Sequence, residues 1–386
     1  VSAHPSPGPP ASAAKRALTA EEREAAWHRR VLSWPAAVCG VLSLAIIASE
    51  VGPRGFLMGL LVAVIPVPAY VILVLWLDRY EAEPPQVLAQ TFAWGASVAI
   101  FLSLLVNTYA EGLVSSVFGP GAGEVFGNVI AAPVVEEIAK GFALLALFVE
   151  LEDEFDGVVD GVVYASMVGL GFAMVENIQY YGAALNAGLE SSLSTFVVRG
   201  MMAPFAHPFF TAMLGIGLGL AREAHGGRRV GPPFVGLCAA VALHAAWNLA
   251  AAVEGWFLAA YAGVMVPAFL GVLALIYLSL KRESRVIRQH LRPLVGERVL
   301  TEAELDRLCS VALRLQASFD AWRRGGTARW HERRELHQVA SELAFHRWRV
   351  ARGLTRGAEA DAARDAEYLR RLCELCPVSE RAAPPD

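Results

Sequence analysis

The chain has 386 residues, 55% of them hydrophobic and 18% charged, with a mean hydropathy of +0.43. That balance excludes an ordinary soluble globular enzyme and points to a polytopic membrane protein, with a lipid bilayer rather than a nucleic acid as its partner. The net charge of −4 hides a division: residues 1–280 hold 12 Lys+Arg against 21 Asp+Glu, while residues 281–386 hold 21 against 16.

Residues 1–30 are Pro/Ala-rich and then charged, and read as a partly disordered cytosolic tail with no evident cleavable signal peptide. Eight apolar segments follow, at roughly 31–49, 56–77, 87–108, 127–149, 158–177, 203–221, 233–253 and 257–280. Each is long enough to cross the hydrocarbon core as a helix, so residues 31–281 are expected to form an all-α transmembrane bundle. Pro204 and Pro208 interrupt the sixth segment and predict a kink or a late helix start. Lys15, Arg16, Arg23, Arg29, Arg30, Arg79, Arg222, Arg228, Arg229 and the Lys281–Arg292 cluster fall on one side, against Arg54 and Arg199 on the other. Both termini are therefore expected in the cytoplasm.

Residues 282–386 contain no apolar run long enough to span, and read as a charged cytosolic helical domain. Leu300 to Phe319, opening on the capping-box pattern Thr301-Glu-Ala-Glu, predicts an amphipathic helix. Arg329 to Arg352 and Ala358 to Cys376 predict two more. The basic start of this region suits anionic headgroups. Cys373 and Cys376 form one CxxC, two ligands short of a tetrahedral zinc site, and are read as sharing a helix face.

Polar residues inside the apolar segments carry the functional reading. Glu136 and Glu137 lie side by side in the fourth, a costly pair at membrane depth. Lys140 shares a helix face with Glu136 and offsets its charge. The fifth segment begins with Asp156 and Asp160 and ends with Glu176, Asn177 and Tyr180. The sixth carries His207 and Thr211, and the seventh His244 and Asn248. With the orientation above, Glu136, Glu176, His207 and His244 all fall in the outer half of the membrane, Glu176 near the end of its segment. Asp156 and Asp160, at the opposite end, suit helix capping or helix–helix bonding, with Asp160 also a candidate support. Gly157/Gly161 and Gly215/Gly219 read as close helix contacts.

A carboxylate beside a second carboxylate can take a proton from water and return it to a leaving amine, and histidine or asparagine can donate to an oxyanion. No serine or cysteine nucleophile is set in an equivalent arrangement, and HExxH is absent. Water-mediated amide hydrolysis fits best, with no cofactor. A divalent metal such as zinc or manganese on the Glu and His residues is the alternative within hydrolysis. A proton-coupled transporter or non-enzymatic scaffold is the alternative outside it.

At these residues the chain resembles the PrsW family of intramembrane glutamic proteases. The matching motifs are DRYEAEP (Asp78 to Pro84), EEIAK (Glu136 to Lys140), DGVVYA (Asp160 to Ala165), GFAMVENIQYY (Gly171 to Tyr181) with the His207 segment, and HAAWN (His244 to Asn248). The resemblance covers roughly residues 31–280 and implies a multi-pass protease of the bacterial cytoplasmic membrane. Its implied substrate is a membrane protein cleaved on the extracytoplasmic side, such as a single-pass anti-sigma factor. The wider superfamily includes type II CAAX prenyl proteases, whose EExxxR stands here as EExxK and whose FxxxH places Glu176 four residues after Phe172. By position, Glu136 or Glu137 is the water-activating base. Glu176 and His207 complete the water site, His244 and Asn248 orient the carbonyl or hold the oxyanion, and Lys140, Tyr180 and Asp160 support it.

Overall fold

The computed structural model describes residues 34–376 apart from 78, 79, 81, 82, 153, 223, 225, 254 and 356. The expected N-terminal tail with its basic residues, and Asp78, Arg79, Glu81 and Ala82 of the DRYEAEP segment, lie outside the described residues. Among the described residues the protein is all helix. The membrane part consists of α1 (Trp34–Val64), α2 (Val67–Leu77), α3 (Pro85–Phe118), α4 (Ala132–Glu150), α5 (Val158–Ala187), α6 (Ala206–Arg222), α7 (Gly231–Ala252) and α8 (Val266–Gly296). The tail adds α9 (Glu302–Leu308), α10 (Val311–Ala351) and α11 (Ala358–Leu375).

Six stretches are long and apolar enough to cross a membrane. The first of them, Pro35–Leu77, holds two legs. Gly52, at φ 71° and ψ 167°, breaks α1, a conformation that glycine adopts without a steric cost. Glu50 accepts from Gln179 at 2.6 Å, and then Val51, Gly55 and Gly59 meet Asn186, Gly182 and Ile178 in descending order along α5. The chain therefore turns back at Gly52. Counting both legs, and adding α4 with its three buried charges, gives the eight expected segments.

α5 is the central post, buried along nearly its whole length. Its glycines let neighbours approach to backbone contact. A Cβ on Gly161 would land on the Gly215 carbonyl, and one on Gly219 would land on the Gly157 carbonyl, so both glycine pairs are helix contacts as the sequence suggests. A Cβ on Gly171 would strike the Phe92 carbonyl of α3. The apolar core between α4, α5 and α6 is built on Leu144, Leu147, Phe155, Val163 and Leu218.

The end of α5 differs from the sequence reading. α5 runs on to Ala187, ten residues past its expected end, because Gly182 and Ala184 stay buried and Gly182 packs against Gly55. Glu176 is therefore well inside the helix. Gly188 then turns the chain at φ 115°, and Leu189–Thr195 with the π-helical Phe196–Met202 return toward the bundle before α6 begins. The kink expected from Pro204 is this break.

The tail is continuous with the membrane part, since α8 crosses residue 281 without interruption and buries Ile287, Leu291 and Leu294 in the tail core. Thr301 caps α9, accepting from the Glu304 amide at 3.1 Å. The single helix expected over Leu300 to Phe319 is instead two, because the chain breaks at Cys309 and Ser310 caps α10. α10 kinks at Gly325–Gly326. Tail and bundle are joined around the DRYEAEP segment. Tyr80 donates to the Cys309 carbonyl at 3.0 Å, Arg314 donates to the Tyr80 carbonyl at 3.0 Å, and Tyr164 of α5 bonds Glu83. Arg349 pairs with Asp156 at the start of α5.

Candidate functional site

Glu136 and Glu137 sit on the first turns of α4, after a π-helical turn at Gly127–Ala131 and Pro133. Their side chains cannot face lipid without great cost, so the helix turns them inward. Both are buried, as are Lys140, His207 and His244. Glu136 is about 21 Å along the helix from Glu150, so the cluster occupies the half of the bundle away from the tail. α4, α5, α6 and α7 each contribute to it.

Lys140 is the hub. Its Nζ donates to Glu137 Oε1 at 2.8 Å and to Glu136 Oε2 at 3.3 Å, and meets His207 Nδ1 at 3.0 Å. It also lies 3.9 Å from the centre of the Phe172 ring. An ammonium only donates, so His207 Nδ1 accepts and its Nε2–H donates to Glu176 Oε2 at 2.8 Å. On the other side, His244 Nδ1 meets Glu137 Oε1 at 3.0 Å. A carboxylate only accepts, so His244 carries a proton on Nδ1 and turns Nε2 toward Glu136 Oε2, 3.9 Å away. Thr211 donates to Glu137 Oε2 at 2.9 Å. Phe210 stacks on His244 with centroids 4.9 Å apart and holds the ring's plane.

Glu137 is thus fully occupied by Lys140, His244 and Thr211. Glu136 is less so, with His207 Nδ1 and His244 Nε2 each 3.9 Å from its Oε2. Both separations are too long for a direct hydrogen bond; Lys140 Nζ bridges the first, and the second suits a water.

Arg199 is the residue that sequence reading placed elsewhere, as a charge in an outer loop. The returning Phe196–Met202 segment carries it to Glu176, where it forms an ion pair, while its Nε donates to Asn177 Oδ1 at 2.6 Å. Its guanidinium lies 3.8 Å from the centre of the Tyr180 ring. Tyr180 therefore supports Arg199, one step out from the histidines. The only sequence signal was a lone arginine between two apolar runs.

Two expected residues stand apart. Asn248 is one turn beyond His244 and donates to the Asn128 carbonyl at 2.7 Å, bracing α7 against the turn before α4. Asp160 accepts from the Asp156 and Gly157 amides at 2.9 and 2.7 Å and caps α5. It lies about 24 Å along the helix from Glu176.

The donor set also suits a divalent ion. One ligand atom from each of Glu136, His207 and His244 lie within 4.8 Å of one another. Two imidazoles and one carboxylate are a zinc-type set, and the far nitrogen of each ring rests on a carboxylate, Glu176 or Glu137. Lys140 Nζ lies against two of these three donors, so an ion there competes with an ammonium. Beside the cluster is an apolar cavity of about 320 Å³, lined by Phe209, Phe210, Trp247, Tyr261, Met265 and Phe269 among others.

Residues 83–274 match the model of a family described as PrsW family intramembrane metalloprotease. The chain is 34% identical over 155 residues to Protease PrsW of Geobacillus kaustophilus (strain HTA426), covering 39% of this chain and 61% of the relative. It is 28% identical over 156 residues to Protease PrsW of Clostridioides difficile (strain 630), covering 40% and 62%. It is 28% identical over 180 residues to Protease PrsW of Bacillus subtilis (strain 168), covering 46% and 76%. The chain thus spans about three fifths of the length of the first two of these relatives. No solved structure matches.

Proposed function

We propose that the chain is a PrsW-type protease, as the match of its residues 83–274 to that family supports, and that it hydrolyses a peptide bond of a membrane protein by a water activated at Glu136, in the cytoplasmic membrane of a bacterium with both termini in the cytoplasm. The observation that carries this reading is the 3.9 Å gap from Glu136 Oε2 to His244 Nε2. Glu136 and a bare His244 Nε2 are both acceptors. A water between them donates both protons inward and presents an oxygen lone pair to the substrate carbonyl. Glu136 takes a proton as the bond to carbon forms, and returns it to the amine as the C–N bond breaks.

Each neighbour has a role in that step. Glu137 holds His244 in the tautomer that leaves Nε2 free. Lys140 supplies a positive charge to both carboxylates. Glu176 fixes the His207 ring and is itself neutralised by Arg199. The 320 Å³ cavity receives a large apolar side chain of the substrate next to the scissile bond. Such side chains abound in transmembrane segments, and a single-pass anti-sigma factor is the substrate class proposed.

A second reading rests on the metal-type donor set. Glu136, His207 and His244 would hold a divalent ion, which supplies Lewis acidity and a more acidic water. Lys140 favours the first reading, because the positive charge is already present at those donors.

The deciding experiment uses purified protein in proteoliposomes with a single-pass substrate. Glu136→Gln is expected to lower cleavage by about 10²–10⁴-fold with unchanged thermal stability. Normal cleavage by this variant overturns the proteolytic role of Glu136. Cleavage that survives extended chelation supports the glutamate reading. Cleavage lost to the chelator and restored by zinc supports the metal.

A further inference from the structure

The two legs of α10 differ in what they bury. After the kink at Gly325–Gly326, the second leg places Leu336, Val339, Ala340, Leu343 and Ala344 in the tail core. Before it, Leu315, Phe319 and Trp322 are 55%, 56% and 51% exposed. They are spaced i, i+4, i+7 and form one stripe. Three large apolar side chains in line on a surface helix mark a contact with something apolar.

The direction of the stripe is fixed. Arg314, on the same leg, is buried and donates to the carbonyls of Leu308 and Tyr80 at 2.7 and 3.0 Å and to Ser341 Oγ at 2.9 Å. The helix cannot roll without breaking these bonds. Leu315 lines a cleft of about 890 Å³ together with Ile72, Leu75 and Trp76 of α2 and with charged groups that include Glu154, Arg334 and Arg371. Ile72, Leu75 and Trp76 lie on one outward face of a membrane-crossing leg, at 68%, 41% and 52% exposure. The stripe is thus continuous with a surface that meets lipid. Trp76 and Trp322 carry the residue type that gathers at membrane–water boundaries. Arg323 and Arg324 follow the stripe, both exposed. Gly326, at φ 67°, then redirects the chain into the tail core.

We propose that the leg from Val311 to Arg324 lies in the headgroup layer of the bilayer, with Leu315, Phe319 and Trp322 among the acyl chains, and Arg323 and Arg324 on the phosphates of anionic phospholipids. The pattern is that of an interfacial amphipathic helix: an apolar face, a basic flank and a position beside a membrane span. This leg lies outside residues 83–274, and its membrane contact does not depend on the proposed proteolysis.

The test is photocrosslinking of the full-length protein in vesicles of equal parts phosphatidylcholine and phosphatidylglycerol. The photoreactive p-benzoylphenylalanine replaces Phe319 in one variant, Trp322 in a second, and Asp320, off the stripe, in a third. The expected result is phospholipid adducts at 319 and 322, little at 320, and adducts enriched in phosphatidylglycerol over its bulk share. Arg323→Glu with Arg324→Glu is expected to remove the enrichment. Absence of lipid adducts at both stripe positions, equal labelling at 320, or adducts only to a second copy of the chain overturn the proposal. Adducts with no headgroup preference overturn its anionic part. A melting temperature equal to wild type shows that each variant is folded.

Discussion

In the tail, Arg314 spends its buried guanidinium on two backbone carbonyls and a serine, and Glu304 is held by Arg307 at 2.6 Å and Arg333 at 2.9 Å. In the bundle, Lys140 faces two carboxylates and an imidazole, and Glu136 Oε2 and His244 Nε2 face each other across 3.9 Å. Both clusters bury charge and surround it with hydrogen-bond partners. The tail cluster ends on backbone and so fixes one geometry. The bundle cluster ends on side chains that can exchange protons, with open acceptor sites at Glu136 and His244. Burial and pairing alone therefore do not mark a reactive site; what marks it is where the unpaired hydrogen-bonding capacity points.

The contrast can be broken in order of effect. Lys140→Met leaves Glu136 and Glu137 buried without their cation, and should cost about 3–5 kcal/mol, read as a fall in the thermal midpoint in detergent. A variant that melts normally would mean the carboxylates do not depend on Lys140, and the hub description fails. Arg314→Ala should cost about 3 kcal/mol in the tail and release it from Tyr80, seen as new proteolytic cleavage after residue 300 in vesicles. If the tail stays as protected as in wild type, the guanidinium is not what joins it to the bundle.

His337 gives the tail a pH dependence. It is buried, its Nε2 has no hydrogen-bond partner, and burial together with Arg314, Arg333 and Arg334 pushes its pKa down to about 2. Between that value and about 6.5 the unfolded tail binds a proton that the folded tail refuses. The stability is fully present above about pH 6.5 and is lost as pH falls, by about 1.4 kcal/mol per pH unit. His337→Phe should flatten that slope in urea titrations of tail fluorescence, and an unchanged slope would assign it to other groups. The smallest effect is expected at Asn248→Ala, which removes one bond to a backbone carbonyl. A stability change of about 1 kcal/mol is expected, with cleavage far less affected than by Glu136→Gln. A loss as deep as that variant's would return Asn248 to the reactive centre.

Much of this was legible in the sequence because the bilayer imposes a simple code. Apolar length gives the spans, and ionisable residues within them stand out against it. Glu136, Glu137, Lys140, Glu176, His207 and His244 were all visible in that way, and the structure gathers them. Arg199 was not, because its segment is short and returns to the bundle through a glycine turn that leaves no periodic trace. The roles within the set were equally hidden. Which histidine nitrogen carries a proton depends on contacts between residues 67 and 107 positions apart, and no local pattern encodes those. In the tail, helical periodicity located the residues and left an interruption between Phe319 and Arg329, where the structure kinks at Gly325–Gly326, but missed the break at Cys309. An amphipathic pattern continues in register across that break.

α8 has one further mechanical consequence. Its 31 residues make a rod about 46 Å long, with one end in the tail core and Met265, just before its start, in the wall of the apolar cavity beside the histidines. A rod of that length pivoted at the tail moves its far end by about 4 Å for a tilt of only about 5°. That displacement approaches the width of a methyl group. A shift in the seating of the tail would therefore reach the cavity wall by leverage, with no chain of side-chain rearrangements needed between them.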